Sequence, residues 1–372
     1  MDLRLSDEQT LLRDTVRRYL ARDYLKTDAA GDLRSGANWT AFAEMGLLGV
    51  AIPAGHGNFG GPLEAAILMR ELGRAGSIEP VLECAVHAAS ILARCDGERA
   101  MEHLADISAG REIIVAAAGG AIGERGASGG MEATELHDGI LLLEGISTRI
   151  PAGGSATSLL VEVQLRRHGA EPTPALVVIP LHVDGVETVR YTSLDGRSGA
   201  DLRCSSVRLP HDSLVAHGAA ALAAQTHGGA VAIACACSES VGCISALIDL
   251  TSAHLSQRRQ FNRPLAEFQV LQHAVAEMFS RTHFAESMLF EALGSLDRPV
   301  PERDRSVSAT KVLVDQTSRF VAGQAVHLHG GMGMSQDYPV GQIFRRLLQL
   351  RHQFGGESYH LGRYVRLPLT MA

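Results

Sequence analysis

Apolar residues along the opening third of the chain recur with the spacing of a helix. Leu12, Val16, Tyr19 and Leu20 fall at i, i+4, i+7 and i+8 and make one apolar face. Ser6, ahead of Asp7 and Glu8, supplies a capping oxygen and the acidic first turn that a helix start favours. "NWTAFAEMGLLGVAI" and "GPLEAAILMRELGRAG" predict two further helices; Pro62 suits the first turn of the second, and Gly73 or Gly76 its end. From about residue 112 the pattern changes to short apolar runs rich in β-branched residues, "REIIVAAAGG", "GILLLEG", "SLLVEVQL" and "ALVVIPL", separated by Gly, Pro and Asp. Asp195-Gly196 is a turn signal between two expected strands. From about residue 213 the helical pattern returns, with breaks near Asn262–Pro264, Asp297–Pro301 and Gly330–Gly333. The expectation is an α+β chain: an N-terminal helical domain over 1–112, a middle β-domain of barrel or sandwich type over 113–212, and a C-terminal helical bundle over 213–372.

Composition narrows this picture. Hydrophobic residues make up 46% and charged residues 20% of the 372, which fits a globular protein and excludes global disorder. The net charge of −7 argues against a nucleic-acid footprint. Lys26 and Lys311 are the only lysines, so a phosphate would meet guanidinium groups, which bind it as a bidentate fork. Cys235, Cys237 and Cys243 lie in an alanine-rich helical run without the paired spacing of a zinc site, and are expected to be buried thiols; no metal site is expected. The start "MDLRLSDEQ" has neither a basic n-region nor an apolar h-region. No apolar run is read as reaching the ~18 residues of a membrane span. The expected location is cytoplasmic.

Two stretches carry candidate chemistry. In "RRQFNRPLAEFQVLQHAVAEM", residues 258–278, a helix ends in arginines, turns through Phe261-Asn262-Arg263-Pro264, and a new helix begins near Phe268-Gln269. This reads either as a helical hairpin with Arg258 and Arg259 on the helix C-terminal dipole, or as a dinucleotide site: arginine for pyrophosphate, an aromatic for a planar ring, a glutamine amide for hydrogen bonds. In "QAVHLHGGMGMSQDYPVGQIFRR", residues 324–346, a helix ends at Gly330-Gly331 with Gly333 close behind. Those glycines read as a C-cap or as room for a cofactor. His327 and His329 are not spaced as a metal pair, and a capping or hydrogen-bonding role is expected for them. "HQFGGES", residues 352–358, adds Gly355 and Gly356 beside Glu357, a phosphate cradle or a catalytic carboxylate.

The first stretch resembles the acyl-CoA dehydrogenase pattern R-x-x-F-G-x-P-I-x-x-F-Q, lacking the glycine after Phe261. "HLHGGMGMSQDYPV" resembles that family's Q-x-H-G-G-x-G-x-x-x-x-Y-P, and "MDLRLSDEQTLLRDTVRRYL" and "AIPAGHGNFGGPLEAAILMRELGRAG" are similar to its N-terminal helices. The resemblance spans nearly the whole chain and extends to bacterial two-subunit members, such as the small subunit of pimeloyl-CoA dehydrogenase and heteromeric steroid side-chain enzymes. It implies FAD, an acyl-CoA substrate and an electron-transfer flavoprotein as electron acceptor. In such enzymes a carboxylate removes the α-proton of the thioester while the β-hydrogen leaves as hydride to the flavin. The base needs a dry pocket that raises its pKa toward neutrality, and the thioester carbonyl needs hydrogen-bond donors. Carried over residue by residue, Arg258 would meet the pyrophosphate and Phe261 the adenine, with Gln269 beside them. Gly330, Gly331 and Gly333 would approach a neighbouring subunit's FAD, and His327 stands where the family usually has a glutamine.

The chain departs from the family elsewhere. The flavin-lining T-E-P-x-x-G-S-D is not recognisable in "AAAGGAIGERGASGG", and W-I-T-N is replaced by "TRIPAG", residues 148–153. The usual C-terminal glutamate position falls on Phe354 or Gly355, two or three residues from Glu357, which is read as a bystander. The alternative base position, on the helix before the first motif, falls on Ala232. Glu239 lies seven residues on, along the same face, in "ACSESVGC", and related two-subunit sequences carry a similarly placed glutamate. It is the expected base, against a structural reading in which it bonds a neighbouring helix or faces solvent. Two functions follow: a working dehydrogenase subunit, or a catalytically degenerate partner that completes a companion chain's FAD site in an α2β2 heterotetramer.

Overall fold

The computed structural model describes residues 5–24, 36–53, 60–117, 128–136, 139–335 and 337–368. The helices α1 (Asp7–Arg22), α2 (Ala37–Glu44) and α3 (Pro62–Ala75) come first, with a 3-10 turn at Leu47–Gly49. "NWTAFAEMGLLGVAI" is therefore not one helix: Gly46, at φ 72°, ends α2 and starts the 3-10 turn. The Ser6 cap is present as a capping box, its hydroxyl accepting from the Gln9 N–H while the Gln9 side chain accepts from the Ser6 N–H. A π-helical turn, Leu82–Ala88, runs into α4 (Ala89–Leu92), followed by α5 (Glu98–Ser108).

Among the described residues eight strands follow: β1 (Ile114–Ala116), β2 (Ser128–Glu135), β3 (Ile140–Pro151), β4 (Ser158–Arg166), β5 (Thr173–Pro180), β6 (Val186–Thr192), β7 (Ser198–Pro210) and β8 (Leu214–His217). They form one sheet in the order β6-β7-β3-β2-β4-β5-β8, with β1 also pairing β4. The apolar runs of β4 and β5 meet residue for residue, Leu160 opposite Val178 and Val161 opposite Val177, and all four side chains are buried. The Asp195-Gly196 turn joins β6 to β7 as expected. The stretch "AAAGGAIGERGASGG" lies mostly outside the described residues.

The C-terminal region opens with α6 (Gly218–Gln257) and the two-residue strands β9 (Arg259–Gln260) and β10 (Arg263–Pro264). It continues through α7 (Gln269–Ser295), α8 (Val300–His329), α9 (Pro339–His352) and α10 (Glu357–Arg366). One expectation is corrected here: α6 is long and apolar enough by composition to cross a membrane, but 94% of its most apolar window is buried within the protein. It is a core helix. Its cysteines Cys235, Cys237 and Cys243 are buried and outside any disulfide, and burial pushes the Cys237 thiol up to about 12.

By contacts the chain divides into two units. One comprises Leu25–Ala65 and Ile78–Ala232 and carries the sheet; Trp39, Phe42, Leu48, Leu82 and Ile91 fill its helical part, and the Trp39 indole N–H donates to the Gly110 carbonyl at 3.2 Å. The other comprises Met1–Tyr24, Ala66–Ser77 and Ile233–Ala372. Its core joins Ile244 and Leu247 of α6, Met278 of α7, Val321 and Ala325 of α8, and Val340 and Leu347 of α9.

Candidate cofactor and catalytic site

Within this helical unit, α3 and α6 cross with their backbones touching. A Cβ on Gly73 would run into the Glu239 carbonyl oxygen, and one on Gly242 into that of Arg70. Ser238 donates to the Ala66 carbonyl at 2.6 Å and the Cys243 thiol to that of Gly73 at 3.3 Å. The small residues of "ACSESVGC" thus serve the α3 crossing and set the rotation of α6 about its axis.

That rotation aims Glu239 at Arg346 on α9. Glu239 Oε1 accepts from Arg346 Nε at 2.6 Å and Oε2 accepts from Nη2 at 2.8 Å, a bidentate fork. Glu239 is 1% exposed and Arg346 7%. A general base must reach the substrate proton with an available oxygen, and both oxygens here are committed to a buried guanidinium. In the structure Glu239 bonds a neighbouring helix. The sequence held a signal for its partner, because Val340, Ile343, Leu347 and Leu350 make the apolar stripe of α9 and Arg346 falls on that stripe.

The other carboxylate position is equally closed. Phe354 is buried in a left-handed conformation (φ 63°) and its carbonyl accepts from His360 Nε2 at 3.1 Å. Gly355 beside it sits at φ 102°. Glu357 opens α10, where a negative charge suits the helix dipole, and accepts from the Gln316 amide at 2.7 Å. Beneath this loop the Lys311 ammonium, 1% exposed, donates to both oxygens of Asp315 and to the carbonyls of Leu350 and Arg351, closing the end of α9. Burial raises Asp315 to about 6, against the attraction of Lys311. It lowers His360 to about 3, with Lys311 adding to the shift.

The first motif is built differently. After α6 ends, β9 and β10 form a hairpin whose two-residue loop is Phe261-Asn262, at φ 52° and 62°. Two consecutive positive φ values describe a type I′ turn, which favours Asn or Gly. This accounts for the departure at residue 262: Asn is the side chain best able to replace the family's glycine there. The same turn strains Phe261 and holds it 84% exposed, its ring edge-on to Phe268 at 6.1 Å. The Arg263 guanidinium lies 4.0 Å over the Phe268 ring and steadies the hairpin. Arg258 and Gln269 are exposed, and their side chains make no hydrogen bond or ion pair among the described residues.

The second motif divides. Gly330 caps α8 at φ 62°, and a Cβ on it or on Gly331 would meet nothing within 4 Å, so both leave open surface. Gly333 is buried and its need is internal, since a Cβ would come within 2.8 Å of the Val326 carbonyl. His327 is exposed. His329 is buried, bonds the Ala325 carbonyl at 2.8 Å, stacks on His254 at 4.4 Å and lies 5.5 Å from the Tyr338 ring. The role of His254 carried no sequence signal. Among the described residues no three His, Cys, Asp or Glu side chains gather as a metal site.

A free guanidinium, a free amide, a strained exposed aromatic and an open diglycine suit a dinucleotide approaching from outside the chain. The segment "TRIPAG" offers no aromatic. It continues β3 through a bulge where Arg149, at φ 58°, donates its N–H to Asp201 at 2.7 Å.

Comparisons with known proteins agree with the motifs. The family described as "Acyl-CoA dehydrogenase, N-terminal domain" matches residues 6–118, and "Acyl-CoA dehydrogenase, C-terminal domain" matches residues 216–365. The acyl-CoA dehydrogenase FadE28 of Mycobacterium tuberculosis is 26% identical over 371 residues, 97% of each chain. A chain of the ChsE4-ChsE5 complex from the same organism superposes with a TM-score of 0.84 at 22% identity over 98% of each chain. Butyryl-CoA dehydrogenase from Megasphaera elsdenii gives 0.86 at 18% identity, covering 98% of this chain and 99% of its own. At these identities the structural likeness speaks for the fold.

Proposed function

The chain belongs to the acyl-CoA dehydrogenase family, whose members depend on FAD, and from that premise we propose that it is the non-catalytic subunit of a heteromeric acyl-CoA dehydrogenase. Its part is to complete the FAD site of a companion chain, in an α2β2 assembly that oxidises an acyl-CoA thioester and passes electrons to an electron-transfer flavoprotein. The observation that carries this reading is the Glu239–Arg346 fork: the carboxylate expected as base is buried, with both oxygens bonded to a guanidinium. FAD, when bound, would supply the hydride acceptor for the thioester's β-carbon. This chain's contribution is binding and orientation. Arg258 would hold the pyrophosphate as a fork and Phe261 would lie against the adenine. The Gln269 amide, with His327 and the Gly330–Gly331 backbone, would line the same face. The proton-abstracting carboxylate belongs, on this reading, to the companion.

The test is to express the chain alone and together with a companion acyl-CoA dehydrogenase chain, and to record the flavin absorbance and thioester dehydrogenation. FAD is expected only on the co-expressed complex, at less than one per chain, and Arg258→Ala in this chain is expected to lower it. Glu239→Gln, whose amide still faces Arg346, is expected to leave turnover intact. Stoichiometric FAD on the lone chain sinks the proposal, as does loss of turnover in a Glu239→Gln complex that still melts like the wild type.

A further inference from the structure

The start of α8 and the last turns of α10 bring two guanidinium groups to one carboxylate. Asp304 Oδ1 accepts from Arg303 Nε at 2.9 Å, and Oδ2 accepts from Arg363 Nη2. The side chains of Arg303 and Asp304 are each 5% exposed and that of Arg363 15%. Neither charge nor hydrogen bonding closes within this group. Two cations share one anion, and Arg303 Nη2 and Arg363 Nη1 are both buried without an acceptor. The Ser306 hydroxyl, one helical turn from Arg303, is also buried and unpartnered, whereas Ser240, Ser245, Ser256, Ser280 and Ser287 donate back to the carbonyl four residues earlier. Nearby Arg305 does not change the balance, since it donates to the carbonyls of Tyr364 and Leu367 and stacks on the Tyr364 ring.

Buried guanidinium N–H groups without acceptors are strongly unfavourable, and buried charges come paired. The group lacks one negative acceptor placed to meet donors on both sides of Asp304. We propose that Arg303 and Arg363, with Asp304 between them, form a niche for a small monovalent anion, a halide or a carboxylate group, which locks the start of α8 to the end of α10. The niche does not depend on how the chain is assigned between subunits.

The test follows the thermal midpoint of the full chain, with its companion if the complex is the form that purifies. Sodium gluconate is replaced stepwise by sodium bromide, or by sodium acetate, at constant ionic strength. The expected result is a rise of about 2 °C as the small anion passes tenfold above its dissociation constant, absent in Arg363→Gln. A crystal grown in bromide is expected to show an anomalous peak within hydrogen-bond reach of Arg303 Nη2 and Arg363 Nη1. A response to acetate alone assigns the niche to a carboxylate. The proposal is overturned if bromide and acetate leave the midpoint where gluconate leaves it, or if Arg363→Gln keeps the full rise. Should that variant not fold, a bromide peak lying elsewhere on the wild-type chain overturns it.

Discussion

The helix α6 delivers two polar groups to opposite situations. In its middle, Glu239 meets Arg346 in a dry fork that satisfies both oxygens. Just past its end, Arg258 points an equally capable guanidinium at solvent, beside an exposed Phe261 and an exposed Gln269. The first is chemistry turned inward, where an ion pair fixes the packing of α6 on α9. The second is chemistry held outward, on a hairpin that keeps an aromatic residue in a strained backbone conformation. The sequence leaves each group two readings: Glu239 as base or as structural carboxylate, and the arginine-rich turn as capping or binding. Burial supports the structural reading of Glu239 proposed above, because a carboxylate that is already paired has little left to offer a substrate.

The comparison is broken most severely by removing one member of the buried pair. Arg346→Ala takes the guanidinium fork away from a carboxylate buried in the bundle core, and a loss of about 3–5 kcal/mol in chemical denaturation is expected. Replacing both residues together, Glu239→Met with Arg346→Leu, is expected to recover most of that loss, since an apolar pair of similar volume leaves no charge to bury. If the double variant is as unstable as Arg346→Ala, the fork is not the reason.

The next effect is a pH dependence. Burial lowers His87 to about 4 and His360 to about 3. A histidine depressed in the folded state contributes stability that is present above the unfolded value of about 6.5 and lost as pH falls through the folded one. Asp315, raised to about 6, runs the other way: its share is complete below the unfolded value of about 4 and is lost as pH rises through 6. The midpoint of urea unfolding is expected to fall between pH 7 and pH 4, each histidine accounting for on the order of 2 kcal/mol. His360→Asn is expected to flatten the curve by one such share.

The outward region should behave oppositely. Phe261→Ala is expected to change stability by less than about 0.5 kcal/mol, as for an exposed site, while lowering the FAD content of the assembled complex. A fall in stability with unchanged flavin would place Phe261 on the structural side of the comparison. The smallest effect is expected from Asn262→Gly, which relaxes a left-handed position and should raise stability by a few tenths of a kcal/mol.

The fold was readable because its signals are local. The Ser6 cap, the Pro62 start of α3, the paired apolar runs of β4 and β5 and the Asp195-Gly196 turn each depend on neighbours in the chain. The strand β2 escaped because "SGGMEATE" is neither apolar nor cleanly alternating, and its pairing comes from β3 and β4. The turn at the exposed motif was readable for the same reason, since "RRQFNRP" is one hairpin. The buried pair was not. Whether Glu239 is free or bound is decided by Arg346, 107 positions away, and no period within α6 reports the rotation that the Gly73 and Gly242 crossing imposes.

The burial of Lys311 gives the folded chain an unusual chemical silence. Only one other lysine exists in the sequence, and the ammonium of Lys311 is closed in by Asp315 and the end of α9. An amine-reactive reagent therefore has no route to residue 311 until α8 and α9 part. The rate at which that one side chain is acylated, read by mass spectrometry, times the opening of the bundle beneath the loop where the family keeps its base.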